Sequence, residues 1–128
     1  MKKLLLLALL MLTLSASAES FWFKTESLAL KTPGKEWSQW YPEVMDVVLD
    51  FDKQQFVVYS YSEQVLDYVD LTSTKYKDFV LLEARCTDTN YNVCTVQIFV
   101  YTSGNVYLKI IYSNIQYKYK LIEHTEWT

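Results

Sequence analysis

The feature that most constrains this chain is the alternation of its residues between positions 78 and 122. Val80, Leu82, Ala84 and Cys86 alternate with Phe79, Leu81, Glu83 and Arg85, and Cys94, Val96, Ile98 and Val100 alternate with Thr95, Gln97, Phe99 and Tyr101. A period of two is the signature of a strand with one face inward. A hairpin centred on Asn90 sets Cys86 against Cys94, Ala84 against Val96, Leu82 against Ile98 and Val80 against Val100. One face is then wholly apolar, and this fixes the register, because a slip of one residue would turn that face to water. A three-residue loop, Thr102-Ser103-Gly104, with Gly104 left-handed as a G1 bulge, sets Val100 against Val106, Ile98 against Leu108 and Val96 against Ile110. A two-residue loop would put Lys109 on the core face. The turn at Ser113-Asn114 continues the face through Tyr112/Ile115, Ile110/Tyr117, Leu108/Tyr119 and Val106/Leu121. Four consecutive strands thus share one apolar face as a meander.

The rest of the chain after Ser20 reads the same way. Runs rich in Val, Ile, Tyr, Phe and Thr recur every eight to twelve residues with little helical patterning, which points to an all-β domain. Strands are expected near 21–31, 37–41, 44–51, 56–61, 64–71, 78–86, 93–101, 105–112 and 115–122. A loop at residues 52–55 would set Phe51 against Phe56 and Leu49 against Val58. With only two Gly and two Pro in 128 residues, Asn, Asp, Ser, Thr and Lys must supply the turns. The expected fold is an antiparallel up-and-down meander of eight or nine strands forming a small barrel or half-barrel, with a two-sheet sandwich as the alternative.

Ahead of this domain stand Met1-Lys2-Lys3, an 11-residue apolar run at 4–14, and Ser15-Ala16-Ser17-Ala18. A short basic start, a hydrophobic stretch too short to span a bilayer comfortably and an A-x-A site form the pattern of a secretory signal peptide cleaved after Ala18. The organisation expected is therefore a signal peptide over 1–18 and a single all-β domain over 19–128, exported to the periplasm or secreted. No transmembrane anchor is expected after cleavage. Cleavage would remove two lysines and no acid, taking the formal charge from -3 to about -5. That charge argues against nucleic acid as a partner.

The candidate chemistry is sparse. Export permits disulfides, and the register above sets Cys86 and Cys94 face to face, so a structural disulfide is expected. Their C-x7-C spacing differs from the C-x-x-C of redox motifs. His124, the only histidine, follows the last strand with no G-x-S-x-G to accompany it, and is read as a tail residue. Asp50-x-Asp52 lacks the glycine and distal glutamate of a calcium loop. No catalytic residue, metal ligand or cofactor is assigned, and the domain is read as non-enzymatic.

Aromatic residues make up 16% of the chain, more than a core of this size requires. Trp37, Trp40 and Tyr41, with Tyr59, Tyr61 and the nearby Asp46, form the candidate ligand surface. Rings stack on sugars while a carboxylate accepts hydroxyl hydrogen bonds, and the same rings also suit protein interfaces. Asp46 is expected opposite Tyr61. In a regular strand Trp37 and Trp40 would point to opposite faces. Phe79, Leu81, Phe99 and Tyr101 fall together on the outer face and are expected to be covered by the N-terminal strand (Phe21, Trp22, Phe23), or else to form an exposed patch. Lys109, opposite Lys118 and near Lys120, reads as a lysine face protecting a sheet edge. The expected function is an exported binding module that recognises a glycan or protein through surface aromatics. The alternative is a small-molecule or lipid carrier with a pocket inside the barrel, which is disfavoured if Leu49, Val58, Leu82, Ile98, Leu108 and Tyr119 fill the interior. The sequence assigns no oligomeric state.

In export signal, meander and aromatic content the chain resembles calycin-type barrels such as lipocalins. It lacks their G-x-W on the first strand and is shorter, so no lipocalin residue role carries over. The W-x-x-W-Y segment, the VVLDFDKQQFVVYS hairpin and the Cys86/Cys94 hairpin are also similar to those of short exported β-proteins of gut bacteria and their phages. That resemblance implies a fold and no mechanism.

Overall fold

A computed structural model describes residues 20–60 and 63–123. The expected signal peptide, Tyr61 and His124 lie outside the described residues. Nine strands follow in chain order: β1 (Ser20–Lys31), β2 (Tyr41–Pro42), β3 (Asp46–Asp50), β4 (Gln55–Tyr59), β5 (Gln64–Lys75), β6 (Phe79–Thr87), β7 (Val93–Tyr101), β8 (Val106–Ile111) and β9 (Gln116–Glu123). Each pairs antiparallel with its neighbour in the order β2-β1-β3-β4-β5-β6-β7-β8-β9, and β1 also pairs with β9. Eight strands therefore close into a barrel, with β2 as an extra strand on β1. Among the described residues there is one continuous sheet rather than the two of a sandwich.

The β6–β9 meander has the register read from its alternation. Cys86 faces Cys94, Leu82 faces Ile98, Ile98 faces Leu108 and Leu108 faces Tyr119. Gly104 takes φ 101°, and Tyr101 N donates to Asn105 O across the three-residue loop. Inward residues of all eight staves fill the barrel. Leu49, Val58, Leu82, Ile98, Leu108 and Tyr119 are at most 3% exposed, and Phe56, Leu66 and Val96 are buried among them. Small barrels are commonly filled by their own side chains in this way.

The N-terminal half departs from expectation in instructive places. The β3–β4 loop spans residues 51–54, so Leu49 faces Phe56 and Asp46 faces Tyr59. The shift by two residues keeps Leu49, Phe56 and Val58 inward, so alternation alone does not distinguish the two registers. Turn chemistry selects between them: the Asp50 carboxylate accepts from Asp52 N (3.1 Å) and Lys53 N (3.0 Å), and Gln54 turns the chain at φ 56°. The strand β5 runs four residues past its expected end. A bulge with Asp70 at φ 54° absorbs the break in alternation, and pairing with β6 resumes at Thr72.

The barrel closes along β1. Its first part pairs β3 and its centre pairs β2 on the same edge, while the other edge pairs β9 with a bulge between Thr25 and Ser27. Thr25 bridges the gap between β2 and β3. Its amide donates to Met45 O (2.8 Å), and its hydroxyl donates to Glu43 O (2.6 Å) and accepts from Met45 N (2.9 Å). With 1% of its surface exposed, Thr25 is fully buried, and a polar side chain at such depth requires these partners.

Candidate functional site

Residues 32–40, expected to contain a strand, form instead a strap that folds back over the outside of the barrel. Thr32-Pro33-Gly34-Lys35 is a turn closed by Lys35 N to Thr32 O (3.1 Å), with Gly34 at φ 75°. Proline at the second position and a left-handed glycine at the third define a type II turn. Ser38 then docks on β1, donating its amide to Leu30 O (2.8 Å) and accepting from Leu30 N through Oγ (2.9 Å).

What lies beneath the strap follows from the register. The outward row reads Ala29, Lys118, Lys109, Gln97 from β1 through β9 and β8 to β7. Ala29 is small, so indoles from the strap can reach across it, and Ala29 is buried although it points away from the core. The Trp37 ring sits 5.5 Å from Lys109 Nζ and 5.6 Å from Lys118 Nζ, and the Trp40 ring is 5.6 Å from Lys118 Nζ. Trp40 packs on Tyr107 at 6.3 Å, and Tyr107 meets Tyr101 edge-on at 5.9 Å. Trp37 and Trp40 therefore share the outer face, contrary to the alternation expected of a strand, because the strap is not one.

Beside the strap lies an open groove of about 450 Å³ lined by Phe99, Tyr101, Asn105, Tyr107, Lys109 and Lys118. Aromatic walls and two ammonium groups are its chemistry. Burial, with Lys118 adding to it, pushes the Lys109 ammonium to a lower pKa than usual. The ion pairs among the described residues, Lys24–Asp46 (3.3 Å) and Lys120–Glu26 (3.6 Å), do not involve Lys109 or Lys118. The nearest acid along the row, Glu83, accepts from Gln97 Nε2 at 2.7 Å.

Several expectations are corrected at this wall. Because β9 pairs with β1, Lys109 and Lys118 lie within a closed sheet and protect no edge. The N-terminal strand does not cover Phe79, Leu81, Phe99 and Tyr101, because it is itself a stave, with Phe23 in the core and Trp22 stacked on Tyr59 (6.3 Å, 12°). The patch is half-buried among its own rings, with Tyr76 on Phe79 at 4.8 Å and Phe79 on Tyr101 at 5.0 Å. The expected single ligand surface divides. Trp37 and Trp40 pack on Lys109, Lys118 and Tyr107 of the groove wall, Tyr59 and Asp46 lie by Trp22 at the other end of β1, and Tyr41 stands exposed on β2. Asp46 faces Tyr59 and not Tyr61. Tyr107, Lys109 and Lys118 went unassigned as ligand contacts, although the like charges at 109 and 118 were the available signal.

Cys86 and Cys94 face each other as expected, but they stand as free thiols and not as a disulfide. The ladder phase gives the reason. Asp88 N donates to Asn92 O and Thr102 N to Asp78 O at its two ends, so pair 86/94 is of the hydrogen-bonded kind, whose side chains stand farther apart than a disulfide prefers. The hydrogen bond from Cys86 to Cys94, with burial, pushes the Cys86 thiol up, and the same bond holds Cys94 down. At this rim the Asp88 carboxylate accepts from Asn90 N and Asn92 N (2.9 Å each) and from the Tyr112 hydroxyl (3.0 Å). Its carboxyl is held below the usual range, chiefly by the Asn92 amide. Both thiols are buried, so the thiol pair itself is not open to a ligand. Among the described residues no group of three His, Cys, Asp or Glu side chains is placed to hold a metal.

The fold and groove together define a small, filled, antiparallel barrel whose candidate site lies outside the sheet. No protein-family model, curated protein or solved structure matches the chain.

Proposed function

We propose that this protein is an exported, non-enzymatic binding module that recognises a glycan through the aromatic groove beside the Trp37–Trp40 strap. The observation that carries this reading is the half-open aromatic surface: Trp40 is 43% exposed and borders Tyr107 and the groove. A ring with one face on protein and one in water suits stacking on the apolar face of a sugar. The filled interior removes the support for an internal lipid or small-molecule pocket. The second aromatic site, Trp22 stacked on Tyr59 beside Asp46, offers a similar platform and gives a protein partner as the competing occupant of these surfaces.

A glycan array probed with the wild-type protein, Trp40→Ala and Trp22→Ala tests the reading. Loss of signal in Trp40→Ala alone is the expected outcome. Signal unchanged in both variants would contradict it. Export rests on residues 1–18, and the intact mass of the exported protein reports cleavage after Ala18. Export would also bring the Cys86/Cys94 thiol pair into an oxidising compartment, and the same mass shows whether two hydrogens are lost.

A further inference from the structure

Lys109 and Lys118 occupy an unfavourable arrangement for a protein of net charge -3. They face each other across β8 and β9, and like charges directly opposite are destabilising. Both ammonium groups lie against rings, Lys109 also 5.8 Å from Phe99 and Lys118 5.7 Å from Tyr107. Cation–π contacts near a surface are worth about 0.5–1 kcal/mol each. They hold the lysines in place, and neither ammonium group has an ion-pair partner among the described residues. Sheet-edge protection does not account for the pair, because the barrel is closed here.

Resting on the glycan reading above, we propose that the groove selects an acidic sugar. The carboxylate or sulfate of the ligand would lie at Lys109 and Lys118, and its ring would stack on Trp40 and Tyr107. An anion there relieves the lysine–lysine repulsion, and a desolvated ammonium makes a stronger charge-assisted hydrogen bond than one in water. Asn105 at the groove wall supplies a donor and an acceptor for sugar hydroxyls. The same features select against neutral sugars, whose binding leaves the lysine pair unrelieved.

Calorimetric titration tests this with two matched pairs: a galacturonate trisaccharide and its methyl-esterified form, and a sulfated galactose oligosaccharide and its desulfated form. Lys109→Gln/Lys118→Gln is the variant, with circular dichroism and the thermal midpoint confirming its fold. The expected result is a preference of about tenfold or more for at least one acidic member over its neutral partner, lost in the double variant. Which acidic member binds identifies the anion as carboxylate or sulfate. Equal binding of acidic and neutral members, or a preference that survives the double variant, overturns the inference and leaves the glycan reading standing. Absence of binding by all four sugars, with the array signal unchanged in Trp40→Ala, overturns both.

Discussion

The two faces of the β7–β8–β9 wall are built from alternate residues of the same three strands, yet they obey different rules. Inward, Val96, Ile98, Val100, Val106, Leu108, Ile110, Tyr119 and Leu121 are all buried. Outward, Phe99, Tyr101, Tyr107, Lys109 and Lys118 are half-buried and organised by a strap from another part of the chain. The inner face is determined by volume and by a period of two. The outer face holds a like-charge pair and open rings, an arrangement that folding alone does not favour. Such a local conflict beside a consistent core marks the place to look for binding.

The largest effect expected is on the inner face. Leu108→Ala should destabilise the fold by about 2–5 kcal/mol, read as a lower urea midpoint, and should leave ligand selectivity intact in whatever fraction remains folded. A small effect would mean that the barrel is not filled as described. Next is the joint that holds the strap's continuation against β1. Thr25→Val keeps the shape but strands Glu43 O and Met45 N, so a loss of about 1–3 kcal/mol is expected in the same measurement. A neutral outcome would show that the break between β2 and β3 does not depend on Thr25.

A smaller, pH-dependent effect belongs to the rim. Asp88 has a lowered native pKa against an ordinary value of 3.8, so the unfolded chain takes up its proton first as pH falls. Its stabilisation is present above about pH 4 and is lost as pH drops through the lowered native value. Urea midpoints measured against pH should therefore fall less steeply in Asp88→Ala at acid pH, and parallel curves would contradict the hydrogen bonds assigned to this carboxylate. The smallest change has the opposite sign. Lys109→Met removes a desolvated charge and its repulsion with Lys118, and the thioether replaces the cation–π contacts with Trp37 and Phe99 by sulfur–aromatic contacts of similar strength, so a gain of about 0.2–1 kcal/mol is expected at neutral pH. Because the native pKa of Lys109 is lowered, its penalty fades as pH rises through that value, and the advantage of the methionine should shrink accordingly. A destabilised Lys109→Met would show that the lysine serves the fold and not a ligand.

The contrast also explains what could be read from the sequence. The β6–β9 register was legible because each strand carries an unbroken apolar alternation and its turns have loop lengths that keep Lys109 outside. Closure by β1 on β9 was not, since no local pattern reports which distant strand completes a barrel. The strap was misread because Trp37, Trp40 and Tyr41 resemble a strand in composition. The information lay in Pro33-Gly34, which turns the chain back, and in Ala29, whose small side chain leaves room for the indoles. The site needed both, so the aromatic strap beside the groove was visible in Trp37 and Trp40, while Tyr107, Lys109 and Lys118 became meaningful only once the strap was placed. The thiol pair shows a finer limit: the register was right, but whether the pair is hydrogen-bonded is set by the ladder phase, which alternation does not encode.

The central claim is that this barrel binds on its outer wall and not inside. The most direct test is a proton–nitrogen NMR titration of the labelled protein with the galacturonate trisaccharide and, separately, with a fatty acid. The account predicts that the sugar moves the indole signals of Trp37 and Trp40 and the amides of Tyr107, Lys109 and Lys118, while Leu49, Leu82 and Ile98 stay fixed with both ligands. Shifts concentrated at Leu49, Leu82 and Ile98 on adding the fatty acid, with the indoles unmoved by the sugar, would contradict it.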